Sequence, residues 1–190
     1  MTAIPTFKLV VVGSSGSGKS TFIRRHLTGE YSKQHNPTLG VELHPLVFHT
    51  SRGPIRFNVY DMAGNPTFGG TTGDAHLVGA HAALVFDDHS APSVQELDAW
   101  VNKVGFLPYL NVVVCHNKAD EHFRSEQMPA AWMAKVNELR AAGFVQYQIS
   151  ARSNYNFDKP FLHLTRRLLN DDGVRLVESP ALAPPVVQLP

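Results

Sequence analysis

"FKLVVVGSSGSGKS" (7–20) decides the fold. Phe7–Val12 is an apolar run that ends on Gly13, and helical spacing begins at Thr21. Between them, "GSSGSGKS" (13–20) follows the pattern Gly-x4-Gly-Lys-Ser. Glycines at those positions permit a tight loop whose backbone N–H groups converge on phosphate oxygens, and the N-terminus of the next helix adds a favourable dipole. Gly13, Ser14, Ser15, Gly16, Ser17 and Gly18 are the expected cradle, with Thr21 beside it. Lys19 is expected to reach the β- and γ-phosphates, and Ser20 to offer its hydroxyl to Mg²⁺. A plain Gly/Ser turn is the competing reading, and the strand before and the helix after weigh against it.

Working outward, short β-rich runs alternate with helical patterns. In helix Thr21–Leu27, Phe22, Ile23, His26 and Leu27 share one side and Gly29 follows as a cap. Strands Val41–Thr50 and Ile55–Asp61, joined by Ser51–Pro54, read as a hairpin, so one strand should run antiparallel. An irregular segment covers 62–76. Strands Ala82–Asp87, Asn111–His116 and Val145–Ile149 then alternate with helices Ser93–Val104, Ala130–Ala142 and Pro160–Leu169. Trp132, Met133, Val136 and Leu139 form the apolar stripe of the second of these helices. The expected fold is α/β: a six-stranded, mostly parallel sheet with one antiparallel strand and helices on both faces. Residues 1–172 are assigned to one domain. Residues 173–190 read as an extended segment, with four prolines in Ser179–Pro190.

Composition narrows the classes. The chain has 190 residues, 43% of them hydrophobic, and a formal charge of +1, which excludes disorder and gives no nucleic-acid footprint. The single cysteine, Cys115, lies in an apolar run and reads as a buried thiol in a reducing compartment. No apolar stretch has transmembrane length, and Val187–Pro190 offers no Cys for prenylation, so no membrane anchor is expected. The expectation is a soluble, intracellular monomer.

Three further motifs follow in order. "DMAG" (61–64) ends a strand: Asp61 is placed to steady Mg²⁺ through water, and Gly64 lets its N–H approach a γ-phosphate. "NKAD" (117–120) closes another strand. Asp120 can accept two hydrogen bonds from guanine, a donor pair adenine lacks, while Asn117 and Lys118 brace the loops. "SAR" (Ser150, Ala151, Arg152) supports the base. Together these motifs select GTP/GDP over ATP. A P-loop kinase would leave Thr38 and Asn117–Asp120 unexplained.

The order of these motifs resembles the Ras-like small GTPases, and one branch fits best. "RRHLTGEY" (24–31), "TLGVELHPLVFHTSRGPIRFNVYD" (38–61), "SARSNYNFDKPF" (150–161) and "PALAPP" (180–185) resemble the Ran family of nuclear-transport GTPases. The resemblance implies the P-loop small-GTPase fold, GTP/GDP and Mg²⁺ as ligands, residence in nucleus and cytoplasm, and importin-β-type transport receptors as partners. It places Tyr31 over the guanine face, Pro37 and Thr38 in the switch, and the Thr38 hydroxyl on Mg²⁺. Phe68 matches an aromatic offered to the GDP-state carrier. Asn65, Lys19, Thr38 and Gly64 hold the catalytic positions.

The chain departs from this family where chemistry is concerned. Asn65 stands where the water-orienting Gln is found; it is one methylene shorter, and Pro66 pushes it toward extended backbone. Ser15 replaces a Gly, and crowds the space of the water-positioning group. Both changes predict slow hydrolysis, because positioning is most of the catalysis in phosphoryl transfer. A non-hydrolysing mimic that occupies transport receptors is the alternative. His35 replaces the switch Tyr, and His116 replaces the Gly before Asn117, which should perturb the base loop. Thr67, Thr72, Ala75 and His76 replace residues that face the exchange factor and the GDP-state carrier, which bears on those partnerships and on the GTPase activator. The family's acidic tail has no counterpart, nor has its basic patch in Val136–Gly143, so the GDP-state lock should be missing.

Overall fold

The computed structural model describes residues 3–32, 37–64, 74–105, 107–122 and 129–178. Six strands form one sheet: β1 (Thr6–Gly13), β2 (Val41–Thr50), β3 (Gly53–Met62), β4 (Ala82–Asp87), β5 (Asn111–His116) and β6 (Val145–Gln148). Their order across the sheet is β2-β3-β1-β4-β5-β6. Only the β2–β3 pairing is antiparallel among the strands. The helices are α1 (Lys19–Thr28), α2 (Ala91–Gly105), α3 (Ala119–His122), α4 (Ala130–Ala141) and α5 (Lys159–Leu169), with a 3₁₀ turn at Asp74–Leu77.

β1 sits inside the sheet because it has no polar face to show to water. Successive strand side chains point to opposite faces. Leu9 and Val11 therefore pack with Phe22, Ile23, Phe161 and Leu164 of α1 and α5. Val10 and Val12 pack on the other side with Leu97, Val101 and Val104 of α2 and Leu139 of α4. The two-sided cover is what a mainly parallel sheet needs. Phe22 fixes α1 against the sheet: its ring stacks on Phe161 (centroids 5.6 Å apart) and meets Phe86 and Phe157 edge-on.

Several boundaries move from the expected ones for local reasons. α1 starts at Lys19, because Gly18 O accepts the first helical bond from Phe22 N (2.9 Å); Lys19 and Ser20 thus ride on the first turn. Gly29 caps the other end, its N–H bonding to Arg25 O. Leu27 leaves the expected buried face and is 42% exposed, while His26 stacks on Phe157. β3 starts at Gly53, earlier than expected, because the Thr50 hydroxyl donates to Gly53 O and accepts from Arg52 N, which closes the hairpin at Ser51–Arg52. α2 begins at Ala91, with the Ser90 hydroxyl accepting from Ser93 N. In α4, Trp132, Val136 and Leu139 are buried as expected, but Met133 is 43% exposed and lies off the stripe. α3 was not foreseen: helix starts inside the "NKAD" motif and carries Asp120 in its first turn.

After α5 the chain turns back onto the hairpin. Val174 is buried, Leu176 bridges to Thr50, and Val177 N donates to His49 O (2.9 Å). Arg52 pairs with Asp171 at 2.8 Å. Residues 179–190, including the proline-rich stretch, lie outside the described residues.

Candidate functional site

The loop between β1 and α1 stands at the C-terminal edge of the sheet, where ligands of open α/β sheets bind. Ser17 is buried, and its N–H and hydroxyl both turn back to Ser14 O. Ser14 is buried too and pairs with Ser93 at the start of α2 (2.5 Å between hydroxyl oxygens). Ser15 and Gly16 form the outer turn, with Ser15 exposed.

Lys19 lies under this loop, 5% exposed, and donates to Gly13 O (2.9 Å) and Ser14 O (2.8 Å). Burial lowers its pKa to about 8, against the pull of Asp61. A lysine held, among the described residues, by two carbonyls and short of a full counter-charge is suited to an anion arriving above the loop.

Gly64 closes the opposite wall. A Cβ built there would lie 2.5 Å from Lys19 Nζ and 2.6 Å from Ser15 N, so only glycine permits this approach. Ser20 and Thr38 meet with their hydroxyl oxygens 2.8 Å apart. Asp61 is fully buried beside them, and neither of its oxygens has a hydrogen-bond partner. Burial pushes its carboxyl above the ordinary range, and the neighbouring Ser20 hydroxyl and Lys19 ammonium oppose this. An orphaned carboxylate next to two hydroxyls is incomplete without a cation. The donors are hard oxygens, which suit Mg²⁺. Ser20, Thr38 and Asp61 are therefore the residues that fit this ion.

The base end is a cleft of about 340 Å³ next to the loop. Gly16, Gly18, Thr21 and Tyr31 line one side, and Lys118, Asp120 and Arg152 line the other. Asn117 ties the parts together. Its amide donates to Ser17 O (2.8 Å) and its carbonyl accepts from Ala151 N (3.1 Å), joining the first loop to the "SAR" loop. Gly18 passes so close to the Asn117 amide that any Cβ would collide with it. Ser150 donates to one Asp120 oxygen at 2.6 Å, and Arg152 lies 3.8 Å from the other.

A family model, that of the Ras family, matches residues 8–170. The chain belongs to the Ras family. It is a GTP-binding switch protein of that kind, and GTPases of this family bind GTP and GDP with Mg²⁺. In this Ras-family chain Pro37 is exposed and Thr38 half-buried. His35, Asn65, Pro66, Thr67, Phe68 and Thr72 lie outside the described residues.

Lys118 adopts a left-handed backbone (φ 62°) and pairs with Asp88 at 2.7 Å, which joins the loop after β5 to the loop after β4. His116 directly precedes the base loop. It is buried at the end of β5, with Nδ1 on the Asp87 carboxylate and Nε2 2.9 Å from Gln146 Oε1. Gln146 is oriented by donating to Val136 O, so both imidazole nitrogens face acceptors. Trp132 Nε1 and His89 N donate to the other Asp87 oxygen, and Asn117 N donates to Asp87 O. This polar network beneath the base loop was not visible from spacing, because Asp87, Trp132 and Gln146 come from three separate elements. Its one signal was an unusual His at the end of an apolar strand.

Proposed function

We propose that this Ras-family protein is a Ran-like switch of nucleocytoplasmic transport that engages importin-β-type receptors when GTP is bound and hydrolyses GTP slowly. One observation supports the slow step: Ser15 N and Gly64 abut at one end of the phosphate site. The Ser15 side chain is exposed there, beside the residue that immediately precedes Asn65. A shortened amide at 65, ahead of Pro66, then has to place water around a hydroxymethyl group that the usual glycine lacks.

The residues divide the work simply. Lys19 and the backbone of Gly13–Gly18 hold the phosphates, while Gly64 N–H approaches the γ-phosphate. Ser20 and Thr38, with Asp61 through water, would hold Mg²⁺, whose chemistry when bound is to neutralise phosphate charge. Asp120, steadied by Ser150, accepts guanine's paired donors, and Tyr31 covers the ring. The transport role rests on the resemblance of 38–61 and 150–161 to Ran.

Single-turnover GTP hydrolysis of the wild-type chain and of Asn65→Gln, with and without a Ran-type activator, tests the reading. The activator should add little to the wild-type rate, where stimulated family members gain on the order of 10⁵. Asn65→Gln should recover part of that gain. Full stimulation of the wild type would refute slow hydrolysis. Absence of importin-β binding by GTP-loaded protein would refute the transport role.

A further inference from the structure

The side of Asp61 that faces β2 carries two more metal-ligating residues. Glu42 lies directly opposite Asp61 in the β2–β3 ladder, and His44 is two residues further along the same face. One ligand atom from each lies within 4.8 Å of the others, the one such grouping among the described residues. Asp61 is completely buried, with both oxygens unpartnered, and His44 Nε2 is buried without a hydrogen bond. That nitrogen lies 3.3 Å from Glu42 Oε2, in line for an ion pair but too poorly aimed for a bond.

We infer that Glu42, His44 and Asp61 form a binding site for a divalent transition-metal ion of the zinc class, adjoining the hydroxyl-lined Mg²⁺ position and sharing Asp61 with it. The donor chemistry separates the two. Mg²⁺ prefers hard oxygens in an octahedron, whereas an imidazole with two carboxylates is a common set for zinc. Three protein ligands leave a fourth tetrahedral position to water. At zinc distances the donors must close to about 3.3 Å from one another, a contraction that side-chain rotation can supply. Glu42 can make it, being partly exposed and held among the described residues by Arg24 (3.6 Å) and His44. Adjacent strands fix the backbones of Asp61 and His44.

A plain His–Glu ion pair is the competing account, and it leaves His44 Nε2 buried and without a hydrogen bond. The site does not depend on the transport reading: a failure to bind importin-β would leave it standing.

The test is Zn²⁺ titration of the full GDP-loaded chain in Mg²⁺ buffer, against a chromogenic chelator. One Zn²⁺ per chain should bind. His44→Leu should weaken it by at least about tenfold, the scale on which even second-rank partners of a metal act. Glu42→Gln should weaken it as well, and His44→Leu should leave GDP affinity unchanged. Zinc-edge X-ray absorption on the wild-type complex reads the ligands without any variant, and one imidazole is expected. No binding, binding indifferent to His44→Leu, or two or more imidazoles on the zinc would each overturn the assignment.

Discussion

Replacing His116 by Leu probes the buried network that carries the base loop. The side chain removed supplies the only donor on Asp87 Oδ2 among the described residues, whereas Oδ1 keeps Trp132 Nε1 (3.3 Å) and His89 N (3.1 Å). Asp87 and His116 are 0% and 1% exposed, so water cannot replace the lost partner. Taking the partner from a buried carboxylate costs about 3–5 kcal/mol. For a chain of this size each kcal/mol moves Tm by about 2–4 °C, so the expected loss is about 6–20 °C. Asp87→Asn in the His116→Leu background removes the stranded charge and keeps an oxygen for Trp132 and His89. The double variant should therefore cost less, about 1–3 kcal/mol, the scale of an unsatisfied neutral group. Thermal unfolding at one fixed excess of GDP and Mg²⁺ is the assay, since bound ligand raises apparent stability. A single-variant loss below about 1 kcal/mol, or a double variant less stable than the single, would refute the argument. GDP dissociation should also quicken in His116→Leu, because Asn117 N hangs from Asp87 O at 2.8 Å.

Lys19 sets a pH dependence. Its folded pKa is about 8, against 10.5 as the ordinary value, so between these limits the unfolded chain binds more protons. Nucleotide-free protein should thus gain stability as pH rises through that window, and Lys19→Met should flatten the gain, as read by urea unfolding. Phosphates restore the charge, so GDP binding at pH 9 should take up a proton, measured calorimetrically in buffers of different ionisation enthalpy. Gly64→Ala places a methyl 2.5 Å from Lys19 Nζ and 2.6 Å from Ser15 N; it should impair GTP binding far more than GDP binding in fluorescent-nucleotide titrations, and equal losses would contradict the placement. Ser150→Ala removes the 2.6 Å bond to the Asp120 carboxylate, worth about 1.5–3 kcal/mol, and should raise the GDP dissociation constant about tenfold or more. Phe22→Ala should destabilise the chain by about 3–5 kcal/mol in urea unfolding, by emptying the aromatic cluster behind α1.

Most of the sheet was legible because strand burial writes itself into composition. Leu9–Val12 and Ala82–Phe86 are apolar throughout and are covered on both faces, whereas Ile55, Phe57 and Val59 alternate with partly exposed neighbours. The site loops were legible for a different reason: backbone approach needs particular glycines at particular spacings, as at Gly18 and Gly64. Leu27 and Met133 were misplaced, since helical spacing allows two adjacent faces and only packing chooses between them. The α3 start at Ala119 was hidden because the same four residues, "NKAD", serve as both loop and helix entry.

By itself the sequence determined the phosphate loop, the order of the strands' motifs and the pairing of β2 with β3, all of which depend on residues close together in the chain. Tertiary structure decided what distant residues do to one another. Only it set His116 on Asp87, Asn117 between the Ser17 and Ala151 backbones, and Glu42 and His44 beside the bare carboxylate of Asp61. The physical reason is that a buried polar group acquires its chemistry from whichever partners surround it, and those partners come from strands and helices that meet only when the sheet is assembled.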